Sequence, residues 1–356
     1  MNPYEALEER AFWAPAVGQR NMLDISDLWR PRFVIDQKTK VVTFGSCFAQ
    51  HFASAMTARG FGWVDEEPGP QDFTAADRKR FNFSIFSART ANIYTTSLLL
   101  QWTMWALKTA TPPGEVWERD GRFFDPFRPA IEPDGFASVA EMTRSRAACI
   151  AAFRRCILGS DLFVFTLGLT ESWWHREDGY EYPMCPGTVA GTFDADRHVF
   201  LNQDYPFVLS NLEEAIAAMR GANPDLKFLL TVSPVPLTAT KSGNHVLVAT
   251  TESKSTLRSV AAAVQREHDH VDYFPSYEII GSAPYRATFF EPNMRSVNLH
   301  GVGHVMDAFF AGLPAGAART APEPAQKRAR TARRAADDLA CEEELLGAMA
   351  SGLIER

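Results

Sequence analysis

Short apolar runs rich in Val, Phe and Leu recur along this chain and alternate with longer amphipathic stretches. The clear runs are residues 41–44, 61–64, 162–167, 228–232 and 271–274. Each is too short for a helix and carries little polar alternation, so each reads as a strand buried on both faces. Between them, residues 211–220 and 253–268 have helical spacing. The first stretch ends at Gly221 and Asn223-Pro224, a good stop signal. The second leads directly into the run at 271. Strands alternating with helices in this way predict an α/β fold with a mainly parallel sheet covered on both faces. No internal repeat is visible.

Two regions break the rhythm. Residues 173–204 are polar, aromatic and turn-rich, with Pro183 and Pro186-Gly187, and show no clear period. A long insertion of this kind reads as a lid over a site or as a decorated surface loop. From residue 314, Ala, Pro, Arg and Lys dominate, with Lys327-Arg328-Ala329-Arg330 in the middle. The pattern predicts one domain over 1–313, in which 1–35 form an N-terminal arm. It predicts a flexible basic linker over 314–336 and a short helix over 337–356.

Composition narrows the class. A chain of 356 residues with 46% hydrophobic positions can build a sizeable core. A net charge of −7 argues against nucleic acid as the main partner. The first ten residues have no basic and apolar leader pattern, and the most apolar helix candidate, 98–107, is too short to span a bilayer. Five cysteines, Cys47, Cys149, Cys156, Cys185 and Cys341, include no CxxC pair, so a reducing, cytoplasmic setting is expected. Cys149 and Cys156 read as small buried hydrophobes. His198, His245, His268 and His270 lack ligand spacing, so no metal and no cofactor are expected.

The chemistry concentrates at Gly45-Ser46-Cys47-Phe48-Ala49, between the first apolar run and a helical segment. A serine there is exposed at a sheet edge beside the N–H groups of a helix N-terminus. That suits a nucleophile, because backbone donors can hold the oxyanion formed on an ester. Thr170 with Glu171 follows a second run, and Ser233 follows a third. Open parallel sheets bind ligands at the carboxyl ends of their strands, which brings these residues to one crevice. Asn92 can add an amide donor.

The stretch Gly45 to His51 resembles the signature of the GSCFA-domain family, itself similar to the SGNH (GDSL-like) hydrolases. Further matching stretches are Phe86-Ser87-Ala88-Arg89, Asn92-Ile93-Tyr94-Thr95, Asp125-Pro126-Phe127-Arg128-Pro129, Thr166 to Glu171 and Thr231 to Leu237. Others are Ser253-Lys254-Ser255 with Leu257-Arg258, Tyr273 to Glu278, and Gly301-Val302 with His304-Val305-Met306. The resemblance runs from roughly residue 30 to 312. It implies a flavodoxin-like three-layer α/β/α fold with Ser46 as the attacking serine, its own N–H helping to hold the oxyanion. Gly168 and Thr170 stand where SGNH enzymes have the Gly and Asn of the oxyanion hole. Thr170 thus offers a hydroxyl in place of an amide.

The resemblance also places Asn293 and Ser296 where the SGNH acid and base belong, followed by Asn298 and Gly301. Neither can serve, since Asn carries no charge and Ser is no base near neutral pH. A substitute base is therefore needed. His304 is preferred; His51 and His300 are the other candidates. Glu171 would orient such a histidine, act as the base itself, or pair with an arginine such as Arg89. Cys47 is a rival nucleophile that would make the protein a cysteine-dependent transferase. Trp173, Trp174, Tyr180 and Tyr182 in the insertion could stack on sugar rings or simply pack.

These readings converge on a serine-dependent ester hydrolase or acyltransferase acting on a small-molecule ester or acylated sugar. The alternative is a catalytically inactive scaffold that binds a carbohydrate or protein partner.

Overall fold

A computed structural model describes residues 2–314. The expected linker and C-terminal helix, and Cys341, lie outside the described residues. In chain order the elements begin with β1 (Lys40–Gly45), α1 (Ala49–Ala58), β2 (Gly62–Trp63), α2 (Ala75–Arg80) and α3 (Thr96–Leu107). A hairpin follows, β3 (Trp117–Arg119) and β4 (Arg122–Phe124), then α4 (Val139–Gly159) and β5 (Leu162–Leu167). Next come β6 (Glu171–His175), β7 (Glu181–Tyr182), β8 (His198–Asn202) and α5 (Tyr205–Ala222). The last are β9 (Lys227–Val232), α6 (Val246–Glu267), β10 (Val271–Tyr273), α7 (Ser276–Gly281) and α8 (Leu299–Gly312).

The central sheet has five strands in the order β10-β9-β5-β1-β2, all parallel. Alternate residues of each strand enter two different apolar clusters, as a sheet buried on both faces requires. Phe44, Phe163, Phe165, Leu167, Phe228 and Leu230 pack with residues of α3, α4, α5 and α6. Val41, Leu162, Val164 and Leu229 pack with Phe52 of α1, Ile279 of α7, and Val305 and Phe309 of α8. The N-terminal arm docks on that second side. Trp29 stacks on Phe309 with ring centroids 5.1 Å apart, and its indole N–H donates to Asp272.

Local chemistry explains the helix ends. Asn223 caps α5 and donates to the Ile157 and Ser160 carbonyls, which pins the predicted stop. The Asn298 side chain accepts from the Gly301 N–H at the start of α8. α6 begins seven residues earlier than its spacing predicts, because the His245 side chain caps the β-branched stretch before Ser253.

The insertion at 173–204 is not an irregular loop. β7-β6-β8 form a three-stranded antiparallel sheet there, in register from Glu171↔Asn202 to His175↔His198. Among the described residues no helix is long and apolar enough to cross a membrane, and no group of His, Cys, Asp and Glu has metal-ligand geometry.

Several matching motifs turn out to brace loops. Asp125 is fully buried between Arg128 and Arg146, 2.8 Å from each. Those two guanidiniums hold its carboxyl below the usual range against the opposing effect of burial. Arg89 bridges the Phe81 carbonyl and Glu132, so it does not pair with Glu171.

Candidate active site

The strand order reverses direction between β1 and β5: β1 connects outward to β2, and β5 connects the other way to β9 and β10. In an open parallel sheet the crevice beyond the carboxyl ends at this reversal is the ordinary ligand site. Ser46 leaves β1 there and Gly168 leaves β5. Gly45 makes the exit possible. Its φ is +125°, and a Cβ at that position would lie 2.3 Å from the Thr166 carbonyl oxygen. No other residue fits so close an approach.

The segment after Phe86 lies across both strand tips. Ser87 Oγ accepts from the Thr43 N–H, and the Ile93 N–H donates to the Gly45 carbonyl. The Tyr94 carbonyl then accepts from the N–H groups of Gly168 and Leu169. Asn92 is thereby fixed, 2% exposed, between the two tips. The Gly168 Cα is packed so tightly on Tyr94 that a Cβ would meet its ring at 3.0 Å.

Ser46 is 2% exposed and its Oγ has no hydrogen-bond partner. Its N–H donates to the Thr166 carbonyl at 3.0 Å, which extends the β1–β5 ladder by one bond. Two expectations are thereby corrected: the Ser46 side chain is buried rather than exposed at the sheet edge, and its N–H is used in the sheet. The Gly168 N–H is likewise used, by Tyr94. Thr170 is occupied on both sides, its N–H donating to Ser253 Oγ at 3.0 Å and its hydroxyl to Asn202 at 2.7 Å. Ser233 Oγ accepts from the Val235 N–H. Strand-tip backbone groups thus spend their donors on one another.

The histidines are dispersed. His304, on α8, stacks on Phe289 with centroids 5.0 Å apart and lines a 580 Å³ cavity with Trp29 and Asp307. Burial lowers its pKa, and its Nε2 is buried without a partner. His300 shares the helix but is exposed. His51 sits on the first turn of α1, edge-on to Phe48 at 5.3 Å. Burial pushes its pKa down to about 4, and its Nε2 is also unpartnered. No histidine is hydrogen-bonded to Ser46. Asn293 donates to Ser296 Oγ at 2.9 Å, so this pair closes a turn on itself. Cys47 packs into the apolar cluster under α1 and α8.

Glu171 orients no histidine. Its carboxylate accepts from the Thr240 hydroxyl and from the Lys241 N–H at 3.1 Å. It lines an open groove of about 650 Å³ between β6, the 185–193 turn and the 239–241 loop.

One residue at the crevice was given no role by the sequence reasoning. Lys254 of α6 is 2% exposed and its Nζ donates to the Gly168 carbonyl. The signal was present: Lys254 lies three residues before Leu257 and seven before Ala261, on the buried stripe of α6. A lysine on an apolar stripe is costly to bury and marks a required contact.

No curated protein and no solved structure matches the chain. The GSCFA family model matches residues 40–309, from the start of β1 to the last turns of α8, and the chain belongs to the GSCFA family.

Proposed function

We propose that this protein is a serine-dependent acyl-transfer enzyme of SGNH type, an ester hydrolase or acyltransferase, with Ser46 as nucleophile. The observation that carries the reading is the Ser46 hydroxyl, buried and unpartnered at the tip of β1 where the sheet reverses. A buried hydroxyl without a partner costs roughly 1–3 kcal/mol. Such a group calls for an explanation, and a ligand that completes the bond is the one this position at the strand tips favours. The strand order supports the finer description as a flavodoxin-like three-layer fold: counted along the chain, it runs 2-1-3-4-5 among the parallel strands.

In this reading Ser46 Oγ attacks the acyl carbonyl and its proton passes to a histidine. His51 suits that role better than His304. It follows Ser46 by only five residues, while the unpartnered Nε2 and the burial that favours the neutral form are shared by both histidines. The bond to Ser46 would form with substrate in place, as catalytic contacts often do. The oxyanion would rest on the Asn92 amide and the Cys47–Phe48 turn. The same histidine then protonates the departing alcohol, and water or a second alcohol takes the acyl group from Ser46.

A second reading, a binding scaffold without catalysis, is favoured by Asn293 and Ser296, which bond to each other where SGNH enzymes keep acid and base. Initial rates on short-chain aryl esters decide between the two. The acyl-transfer reading expects Ser46→Ala to remove at least about 100-fold of the rate. Equal rates for the two proteins leave the scaffold.

A further inference from the structure

We propose that the groove bounded by Glu171 and Trp173 is a saccharide subsite, in which the Glu171 carboxylate receives two vicinal hydroxyls and Trp173 packs against the apolar face of the ring. Its delivery of an O-acyl group to Ser46 rests on the acyl-transfer reading; the binding itself does not.

The groove is the right size. Its 650 Å³ falls within the roughly 300–1,000 Å³ of small-molecule sites. Its chemistry is also specific. Each oxygen of Glu171 already accepts one hydrogen bond, from Thr240 or from Lys241, which fixes the carboxylate on a loop backbone. An ionised carboxylate has about four acceptor positions, so one on each oxygen is left for donors in the groove. Two parallel donors a few ångströms apart are what a vicinal diol presents.

The aromatic wall is equally defined. Trp173 is held edge-on by Phe193 and Phe200, each with its centroid 5.5 Å away. Thr188 and Thr192 add hydroxyls to the same lining. Other ligand classes fit less well. A phosphate or carboxylate ligand would face the Glu171 charge, which Lys241 in the same lining balances without leaving a net positive site. A hydrocarbon chain would cover that carboxylate without supplying a donor, a desolvation of the costly kind. A neutral sugar supplies hydroxyl donors on its rim and C–H groups on its face.

Position links the groove to the crevice. Glu171 follows Gly168 by three residues, so their Cα atoms lie at most about 10 Å apart. That places the groove near the tip of β5.

The test is saturation-transfer NMR on the full chain with glucose, galactose, N-acetylglucosamine and their β-1,4-linked disaccharides. The proposal expects at least one to receive transfer, with the affinity unchanged in Ser46→Ala and about tenfold weaker in Glu171→Gln. Phe193→Ala, at an exposed edge of the groove, is the second variant and keeps the test valid if Trp173→Ala does not fold. It is expected to weaken binding as well. No transfer to any of these sugars by the wild type overturns the proposal, as does transfer that all groove variants retain. Aryl-ester turnover that needs Ser46 alongside absent sugar binding would remove the groove proposal and leave the acyl-transfer reading. Sugar binding without ester turnover would do the opposite.

Discussion

At the scale of single residues, two polar groups near the strand tips set the properties of the site. His51 is the most sensitive to pH. Its folded pKa of about 4 lies below the ordinary value of 6.5, because burial opposes the charged form. The unfolded chain therefore binds more protons than the folded one between these values, and stability falls as pH drops from about 6.5 toward 4. The slope from this group is at most about 1.4 kcal/mol per pH unit. Urea melts of His51→Gln should show that slope reduced. If His51 is also the proton acceptor, kcat/KM of the wild type falls only below about pH 4, and His51→Gln loses rate at every pH. Lys254 is the second group. Replacing it with Met leaves the Gly168 carbonyl buried without its donor, at an expected cost of about 1–3 kcal/mol. A urea midpoint unchanged from the wild type would contradict the role given to that contact. Lys254 also shows how a site residue escapes a sequence reading. Attention to strand ends finds Ser46, Gly168 and Thr170, whereas Lys254 arrives from the middle of a helix on the far side of a turn.

At the scale of elements, one of the contacts that join the small sheet of the insertion to the main body is a buried carboxyl. Glu181 of β7 accepts hydrogen bonds from Thr95 and Ser97 at the start of α3. Burial raises its pKa to about 8, and the two hydroxyls only partly offset this. Here the folded state binds the extra proton, so the stabilisation is complete below about pH 4.5 and is lost as pH rises through about 8. Thermal melts between pH 5 and 8.5 should show this decline in the wild type and a flatter profile in Glu181→Gln. Asp125 is a second element-level device, since it ties the loop after β4 to α4. Asp125→Ala leaves two buried guanidiniums without their partner and should cost about 3–5 kcal/mol, read from urea denaturation.

The same scale shows why some elements were legible and others not. β1, β5, β9 and β10 were visible as apolar runs because both of their faces are buried, and β2, half-buried at the sheet edge, through the apolar residues at 61–64. β6, β7 and β8 were not, since Glu171-Ser172-Trp173-Trp174-His175 alternates neither in charge nor in hydropathy. One face of that strand, carrying Glu171 and Trp173, lines a groove, and the other buries Ser172, whose hydroxyl donates to the Leu201 carbonyl. α4 was equally hard to see, because Arg146, Cys149, Ala152 and Cys156 interrupt the large apolar side chains Met142, Phe153 and Ile157 along its buried stripe.

At the scale of the whole molecule, a parallel five-stranded sheet sets one reversal point, and the chain brings Ser46, Asn92, Gly168 and Lys254 to it. The sequence located that crevice through its strand ends, and the family match covers it in full. The partners of Ser46 were not legible. They depend on which backbone donors the sheet itself consumes, and that is decided by register and by the path of residues 87–94 over the strand tips. A carbonyl that takes the Ser46 N–H leaves no mark on the residue types involved.

The account rests on the Ser46 oxygen being the atom that receives the acyl group. Incubating the full chain with p-nitrophenyl acetate, quenching in acid and mapping acetylated peptides by mass spectrometry reads that atom directly. The account predicts an acetyl group on Ser46 in the wild type and none on the same peptide of Ser46→Ala. Acetylation confined to Cys47, or turnover of the ester with Ser46 unmodified and its alanine variant equally fast, would contradict it.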